Sequence, residues 1–479
     1  MKVYYIIAAL WTFLVLQSCE KSLIEKPKTV LSPDQFFKNA GSYEASVIGI
    51  YSGIPFYSGY TAYNYEMITD LYAEPSAAAE QALPIYNNQP TPYYYNARDA
   101  WNRPYSVIKN ANFILTYLPN APLSERKKEM LMAEARFLRG YAFFNLVQLF
   151  GDVPMPLAIA EDYDSLKLMR SKQEDVYSQV LEDLIYAENN LPDQAAQEGR
   201  AYKLAASALL ARVYLTISGN PLNKKEYLAD ARNSALKVME SGAFSLASDY
   251  AEVFHNIAYT KESIWEKQYV AGRGGNFLHN ASSTGEGYVP TLVPSSQFIR
   301  SFPEGDRRLE WGIRSNYAGP KGILERPFFH KFVDISLIDR GVLPSSTTVS
   351  YALPLLRYAE MYLIAAEAEN ELSGPQKAYQ YVNQIRKRAR IDKSNLTHVP
   401  DLKGMTKEQL RKEIWKEWDW EMHQEGLGWT TMKRTNTFER IQLHRGNKLT
   451  VPVGLYNQTW PIPIEEITNN NIPQNPLYH

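Results

Sequence analysis

Apolar and polar positions follow the period of an α-helix along much of this chain. The longest pattern runs from Glu125 to Phe150. Phe137, Tyr141, Phe144 and Val147 recur at three- and four-residue steps, and Leu131, Ala135, Leu138, Ala142 and Leu149 fill another face. A helix apolar on most sides must be covered on most sides, which predicts a place inside a stack of helices. Gly151-Asp152-Val153-Pro154 predicts its end, because glycine permits a left-handed cap and proline forbids continuation. The same periodicity predicts helices at about 100–118, 171–190, 201–218, 224–241, 355–372, 375–391 and 406–425, and Ser32-Pro33 reads as a further helix start.

Two helical pairs share one plan. Ala208, Leu209, Ala211 and Tyr214 precede a turn at Gly219-Asn220-Pro221, followed by Tyr227, Ala231, Ala235 and Val238. Tyr358, Ala359, Tyr362 and Ala366 precede a turn at Gly374-Pro375, followed by Ala378, Val382, Ile385 and Ala389. Alanines at the crossings let helices approach closely, as in tetratricopeptide-type hairpins. The stretches 50–100 and 243–350 lack sustained helical periodicity and are rich in Gly, Pro, Ser, Asn and Tyr. They predict long irregular loops with short strands, and loops of that length are usually functional. The fold class is therefore mainly α: a tetratricopeptide-like helical-hairpin scaffold carrying elaborate loops.

Composition narrows the function. With 479 residues, 45% of them hydrophobic, the chain can build a large core and is far too apolar for disorder. The 51 Lys+Arg offset 52 Asp+Glu to a net charge of -1, which argues against a nucleic-acid partner, since phosphates call for a basic field. Tyrosine is in surplus, 34 against 18 Phe and 9 Trp. Its apolar body and polar tip suit wet recognition surfaces as well as cores.

Lys2 and the apolar run Val3 to Leu16 have the form of an export signal, too short for a comfortable membrane span. The run ends at Leu16-Gln17-Ser18-Cys19, which resembles a bacterial lipobox. Cys19 is the only cysteine, so no disulfide or thiolate cluster competes for it. The expectation is a signal peptide over 1–18, lipidation at Cys19 and a charged tether over 19–30. Multiple acyl chains would anchor the body stably, at about 0.8 kcal/mol per buried methylene.

Three ordered motif groups carry a family resemblance. The first is Ala133-Glu134-Ala135-Arg136-Phe137-Leu138-Arg139-Gly140-Tyr141 with Leu149-Phe150-Gly151-Asp152-Val153-Pro154. The second is Leu356-Arg357-Tyr358-Ala359-Glu360, Ala365-Ala366-Glu367-Ala368 and Asn383-Gln384-Ile385-Arg386. The third is Trp460-Pro461-Ile462-Pro463 with Gln474-Asn475-Pro476. Together with the lipobox and Gly49-Ile50-Tyr51, the chain resembles the SusD/RagB-type outer-membrane nutrient-binding lipoproteins of Bacteroidetes. One departure is Glu425-Gly426 followed by Leu427-Gly428-Trp429, where the family usually shows Glu-Gly-X-Arg.

The resemblance implies an N-terminal helical region with the ligand loop over 31–242 and a C-terminal region over 243–479, packed as one body. It also implies capture of oligosaccharide, or alternatively peptide, for a SusC-like TonB-dependent transporter at the outer membrane, with no cofactor and no catalysis.

Saccharides present hydroxyl edges and C–H patches, so their sites need aromatic platforms with amides and guanidinium groups. Ile85 to Trp101 offers that mixture on an expected loop, and the candidates are Tyr86, Tyr93, Tyr94, Asn96 and Arg98. Trp101 reads as core. Arg273, Asn276, Tyr288, Trp311 and Tyr317 form a second set on the later loops.

Arg136, Arg139, Arg357, Glu360 and Glu367 fall on largely apolar helices, which predicts pairing, because an unpaired buried charge costs several kcal/mol. Glu417, Glu421, His423 and Glu425 crowd one helix and read as a solvated face or as ion-pair partners. No P-loop, dinucleotide fingerprint or zinc helix is present, and Gly272-Arg273-Gly274-Gly275 reads as a plain loop. A glycoside hydrolase using two carboxylates is the enzyme alternative. A helical scaffold that binds only its transporter is the third.

Overall fold

The computed structural model describes residues 36–37, 39–54, 56–57, 61–74, 86, 91–93, 95–160, 162, 167–256, 259–270, 275, 278, 291–315, 317–319, 322–324, 327–340, 349–446, 449, 453–454, 458–476 and 478. The expected signal, Cys19, the tether and the Ser32-Pro33 helix start lie outside these residues.

The helices are α1 (Ala40–Ile50), α2 (Ala62–Glu66), α3 (Tyr95–Tyr117), α4 (Glu125–Phe150), α5 (Gln173–Asn190), α6 (Lys203–Ser218) and α7 (Leu228–Glu240). After the loop-rich middle come α8 (Ser296–Ser301), α9 (Arg307–Gly312), α10 (Ile335–Asp339), α11 (Tyr358–Ser373), α12 (Pro375–Ala389), α13 (Lys407–Met422), α14 (Gly428–Thr435), α15 (Glu439–Arg445) and α16 (Ile464–Asn470). Strands are short and pair two by two, all antiparallel: β1 (Val153–Pro154) with β2 (Arg170–Ser171), β3 (Ser263–Lys267) with β8 (Leu353–Arg357), β4 (Ile313–Arg314) with β7 (Phe328–Phe329), and β5 (Tyr317–Gly319) with β6 (Gly322–Leu324).

Successive long helices pack on one another, α3 on α4, α4 on α5, α5 on α6 and α6 on α7. The chain then makes its loop excursion, and α11 returns to pack beside α7, followed by α12 and α13. The two predicted hairpins are thus neighbours. Ala208, Ala211, Ala231, Ala235, Ala359, Ala366, Ala378 and Ala389 are all fully buried at their crossings. Buried apolar residues from Tyr43 to Ile472 join one contiguous core.

Local chemistry sets the helix ends. Ser124 caps α4, accepting from the Lys127 N–H, and Gly151 closes it at φ +70 with its N–H on Val147 O at 3.1 Å. Thr406 and Gln409 form a reciprocal capping box on α13. Among the boundaries that differ from the pattern-based expectation, two have a clear cause. Helix α3 starts at Tyr95 and carries Pro104 inside it; a proline fits a first turn best, which draws the expected start toward the 100s. Leu355 to Arg357 belong to β8 instead of the following helix, and pairing continues one residue further, from the Tyr358 N–H to Glu262 O at 2.8 Å. A short apolar run buried on both faces does not reveal its period.

The charged residues of the apolar helices are paired as expected. Arg139 meets Asp183 in a fork at 2.7 and 2.8 Å, and Arg136 reaches Glu182 at 3.4 Å. Arg212 holds Glu360 at 2.6 and 2.7 Å, and Arg434 holds Glu367. The Glu417–Glu425 group is no solvated face. Glu417 and Glu421 are fully buried, within a cluster where Arg308, Arg357, Arg386, Arg388 and Lys331 face Asp306, Glu262, Glu417, Glu421 and Glu425. These charges balance. Burial alone would raise Glu421, but Arg388, Arg357 and Arg308 outweigh it and hold its carboxyl well below the usual range. The cluster ties Glu262, just before β3, to β8, α9, α12 and α13.

Candidate functional site

The residues preceding α3 are fixed from the far end of the chain. The Ile464 N–H donates to Pro92 O at 3.1 Å, so the segment after Trp460 lies along the approach to α3. On the next turn Arg98, about half exposed, reaches Glu465 Oε1 at 3.2 Å. Between these two ties Tyr93 stands out into solvent at 77% exposure, unusual for so large an aromatic.

The other members of the set are placed differently. Because α3 begins at Tyr95, Asn96 and Arg98 sit two residues apart on a helix and point to nearly opposite sides. Asn96 is buried, with its carbonyl accepting from Asn64 Nδ2 at 3.1 Å. Tyr86 is also buried, its ring 3.9 Å beneath the Arg445 guanidinium carbon. Tyr94 lies outside the described residues. Tyr93 and Arg98 are therefore the accessible members of the set, while Tyr86 and Asn96 belong to a buried wall. Trp101 is buried edge-to-face against Phe150 at 5.0 Å, as the core reading expects.

Arg445 builds that wall. Its side chain donates to Tyr86 O, to Met67 O at 2.7 Å and to Thr69 O, and burial lowers its pKa to about 10. Beside it Glu66 is held at three points. Its Oε1 accepts from Tyr57 OH and the Gly426 N–H, both at 2.8 Å, and its Oε2 accepts from Tyr72 OH at 2.8 Å. Burial pushes Glu66 up to about 7, and the three donors only partly restrain it. Gly426 thus acts through its backbone, while Glu425 turns inward to Arg357 and Lys331.

The second candidate set converges on Trp311 alone, since Arg273, Asn276, Tyr288 and the side chain of Tyr317 lie outside the described residues. Trp311 is partly exposed on α9 and meets His330 at 4.8 Å, His255 at 5.1 Å and Phe254 at 6.1 Å between ring centres. His255 in turn stacks on Tyr351 at 4.6 Å and 10°. Burial lowers the pKa of His330 to about 3, so both its donors and acceptors are those of a neutral ring. The sequence gives no local signal for this group: His255, His330 and Tyr351 sit on three separate loops, and only pairing of β4 with β7 carries His330 to Trp311.

The crowded carboxylates offer no acid–base pair to a substrate. Glu417 and Glu421 are sealed in the ionic cluster, and burial beside Lys331 holds His423 neutral. Among the described residues, no helix is long and apolar enough to cross a membrane.

Known proteins share this sequence and architecture. A family profile described as "Starch-binding associating with outer membrane" matches residues 35–215, and the SusD family profile matches residues 326–478. SusD-like protein P25 from Formosa agariphila is 27% identical over 88% of each chain. A SusD superfamily structure from Parabacteroides distasonis superposes with a TM-score of 0.81, at 24% identity over 91% of this chain and 99% of that one. Surface glycan-binding protein A from Bacteroides uniformis superposes with a TM-score of 0.76, at 18% identity over 91% and 99%. With both profiles aligned in order on the hairpin scaffold, the chain belongs to the SusD/RagB family.

Proposed function

We propose that this protein is a cell-surface nutrient-binding lipoprotein, non-catalytic, that captures oligosaccharide and passes it to a SusC-like TonB-dependent transporter in the outer membrane. Cys19 is its lipid anchor in this reading. The observation that carries the proposal is the exposed ring of Tyr93 together with the half-exposed Arg98 five residues further on, in a stretch tied to the C-terminal segment through Pro92 and through Arg98. An aromatic face with an adjacent guanidinium suits the C–H patches and hydroxyls of a sugar. A structural neighbour named for surface glycan binding supports that ligand class over peptide.

The test is a glycan and peptide binding screen followed by calorimetry. Replacing Tyr93 and Tyr94 with alanine is expected to weaken the glycan hit with thermal unfolding nearly unchanged, and unaltered affinity removes this segment from the proposal. Co-purification with a transporter tests the partner, and sugar release on prolonged incubation would instead indicate a hydrolase.

A further inference from the structure

A cleft of roughly 460 Å³ opens between α13, α15, α8 and the Asp70-Leu71 turn, and it shares no residue with the 91–98 segment or the Trp311 group. A space of this size suits a small organic ligand. Its walls are largely apolar, from Leu71, Phe298, Trp415, Trp420 and Leu443. Trp415 is partly exposed, and Leu443 at the mouth is 81% exposed. Trp420 is buried and fixed through its Nε1–H to Ser301 Oγ at 3.0 Å.

The polar part of the lining sets the cationic donors Lys412, Lys416 and Arg440 beside the carboxylates of Asp70 and Asp419. Asp70 and Asp419 share one guanidinium: Arg440 donates to Asp70 Oδ2 at 3.1 Å and to Asp419 Oδ2 at 2.6 Å. Asp70 Oδ1 lies 3.0 Å from the same arginine but outside hydrogen-bonding geometry. The Asp419 side chain is nine-tenths buried and lines the cleft, with Oδ2 taken by Arg440 and, among the described residues, no hydrogen bond to Oδ1. Unfilled acceptors in a partly dry cleft call for a ligand that donates. The cleft's charges cancel, Lys412, Lys416 and Arg440 against Asp70, Asp419 and Glu439, which favours a neutral donor over an amine or an acid.

We propose that this cleft is a separate binding site for a neutral, hydroxyl-rich small molecule of the mono- or disaccharide class. Asp419 Oδ1 accepts a ligand hydroxyl, and the Trp415 indole carries a C–H face of the ring.

Fluorine NMR of the full chain labelled with 5-fluorotryptophan tests this, the Trp415 and Trp420 signals being assigned by W415F and W420F. Glucose and cellobiose are the neutral probes, and glucosamine and glucuronate the charged ones. A saturable shift of the Trp415 signal with a neutral probe is expected. Asp419→Asn should weaken it about tenfold, and Leu443→Trp, a surface change that narrows the mouth, should abolish it. No shift with either neutral sugar overturns the proposal, as does an equal response to a charged analogue or an undiminished affinity in both variants. Tyr93→Ala leaves these signals unchanged, so a failure of the 91–98 reading and a failure here are told apart.

Discussion

The Arg445 guanidinium carbon lies over the Tyr86 ring, 3.9 Å from its centre, and the same guanidinium hydrogen-bonds the carbonyl of that tyrosine across 359 residues of chain. It has no carboxylate partner in this contact. What it satisfies are three backbone carbonyls, each of which needs a donor when buried.

Arg445→Ala therefore uncovers Tyr86 O, Met67 O and Thr69 O together. A loss of about 3 kcal/mol is expected, since each buried unpaired group costs roughly 1–3 kcal/mol and water entering the space recovers part of it. Denaturant unfolding measures it, and a change below about 0.5 kcal/mol would show the carbonyls to be satisfied elsewhere.

Glu66 makes stability depend on pH. Its folded pKa of about 7 lies above the ordinary value of 4.5, so its contribution is fully present below pH 4.5 and is lost as pH rises through 7. The span amounts to about 3 kcal/mol. Glu66→Gln keeps acceptors for Tyr57 and Gly426 without the charge, so its unfolding midpoint should fall less than the parent's between pH 5 and 8. Parallel curves for the two proteins would sink the assignment. Glu266, also raised to about 7 by burial, has the same sign, which is why the comparison is made between variants.

Two glycines should respond oppositely to alanine. At Gly426, φ is +77 and an added Cβ would lie 2.7 Å from the Tyr57 ring, so Gly426→Ala should destabilise by about 2–4 kcal/mol. At Gly49, within α1, an added Cβ meets nothing within 4 Å, and Gly49→Ala should stabilise by about 0.5–1 kcal/mol. Melting temperatures moving in the same direction would contradict this.

Arg357 sits where β8 becomes α11 and bonds Glu262, Glu421 and Glu425 at 2.6–2.8 Å. Arg357→Met leaves buried carboxylates short of a cation and should cost about 3–5 kcal/mol. A variant as stable as the parent in calorimetry would mean that the cluster's charges are readily neutralised.

How far these relationships are legible in the sequence depends on their range. The hairpins were legible because Ala208, Ala231, Ala359 and Ala378 mark close crossings at helical spacing, and Gly151 with Pro154 marks an end. Pairing of Arg139 and Arg357 followed from a charge on an apolar face, although the partners Asp183, Glu262 and Glu421 lie 44 to 95 residues away. The segment proposed for recognition was legible in composition only. Tyr93, Asn96 and Arg98 look alike as loop residues, and the start of α3 at Tyr95 decides which face outward. Nothing local announces that Trp415 and Trp420 join Asp70, because α2's flank and α13 meet only in the folded chain.

Asn475 donates to Phe150 O at 3.3 Å and to Trp460 O, and accepts from Arg170 at 2.5 Å. The last turn of α4, completed early in synthesis, thus waits for a residue translated hundreds of codons later. Trimming the chain before Asn475 would therefore strip one partner at once from the Phe150 carbonyl, the Trp460 carbonyl and the Arg170 guanidinium, loosening the end of α4 from a cut made far away in sequence.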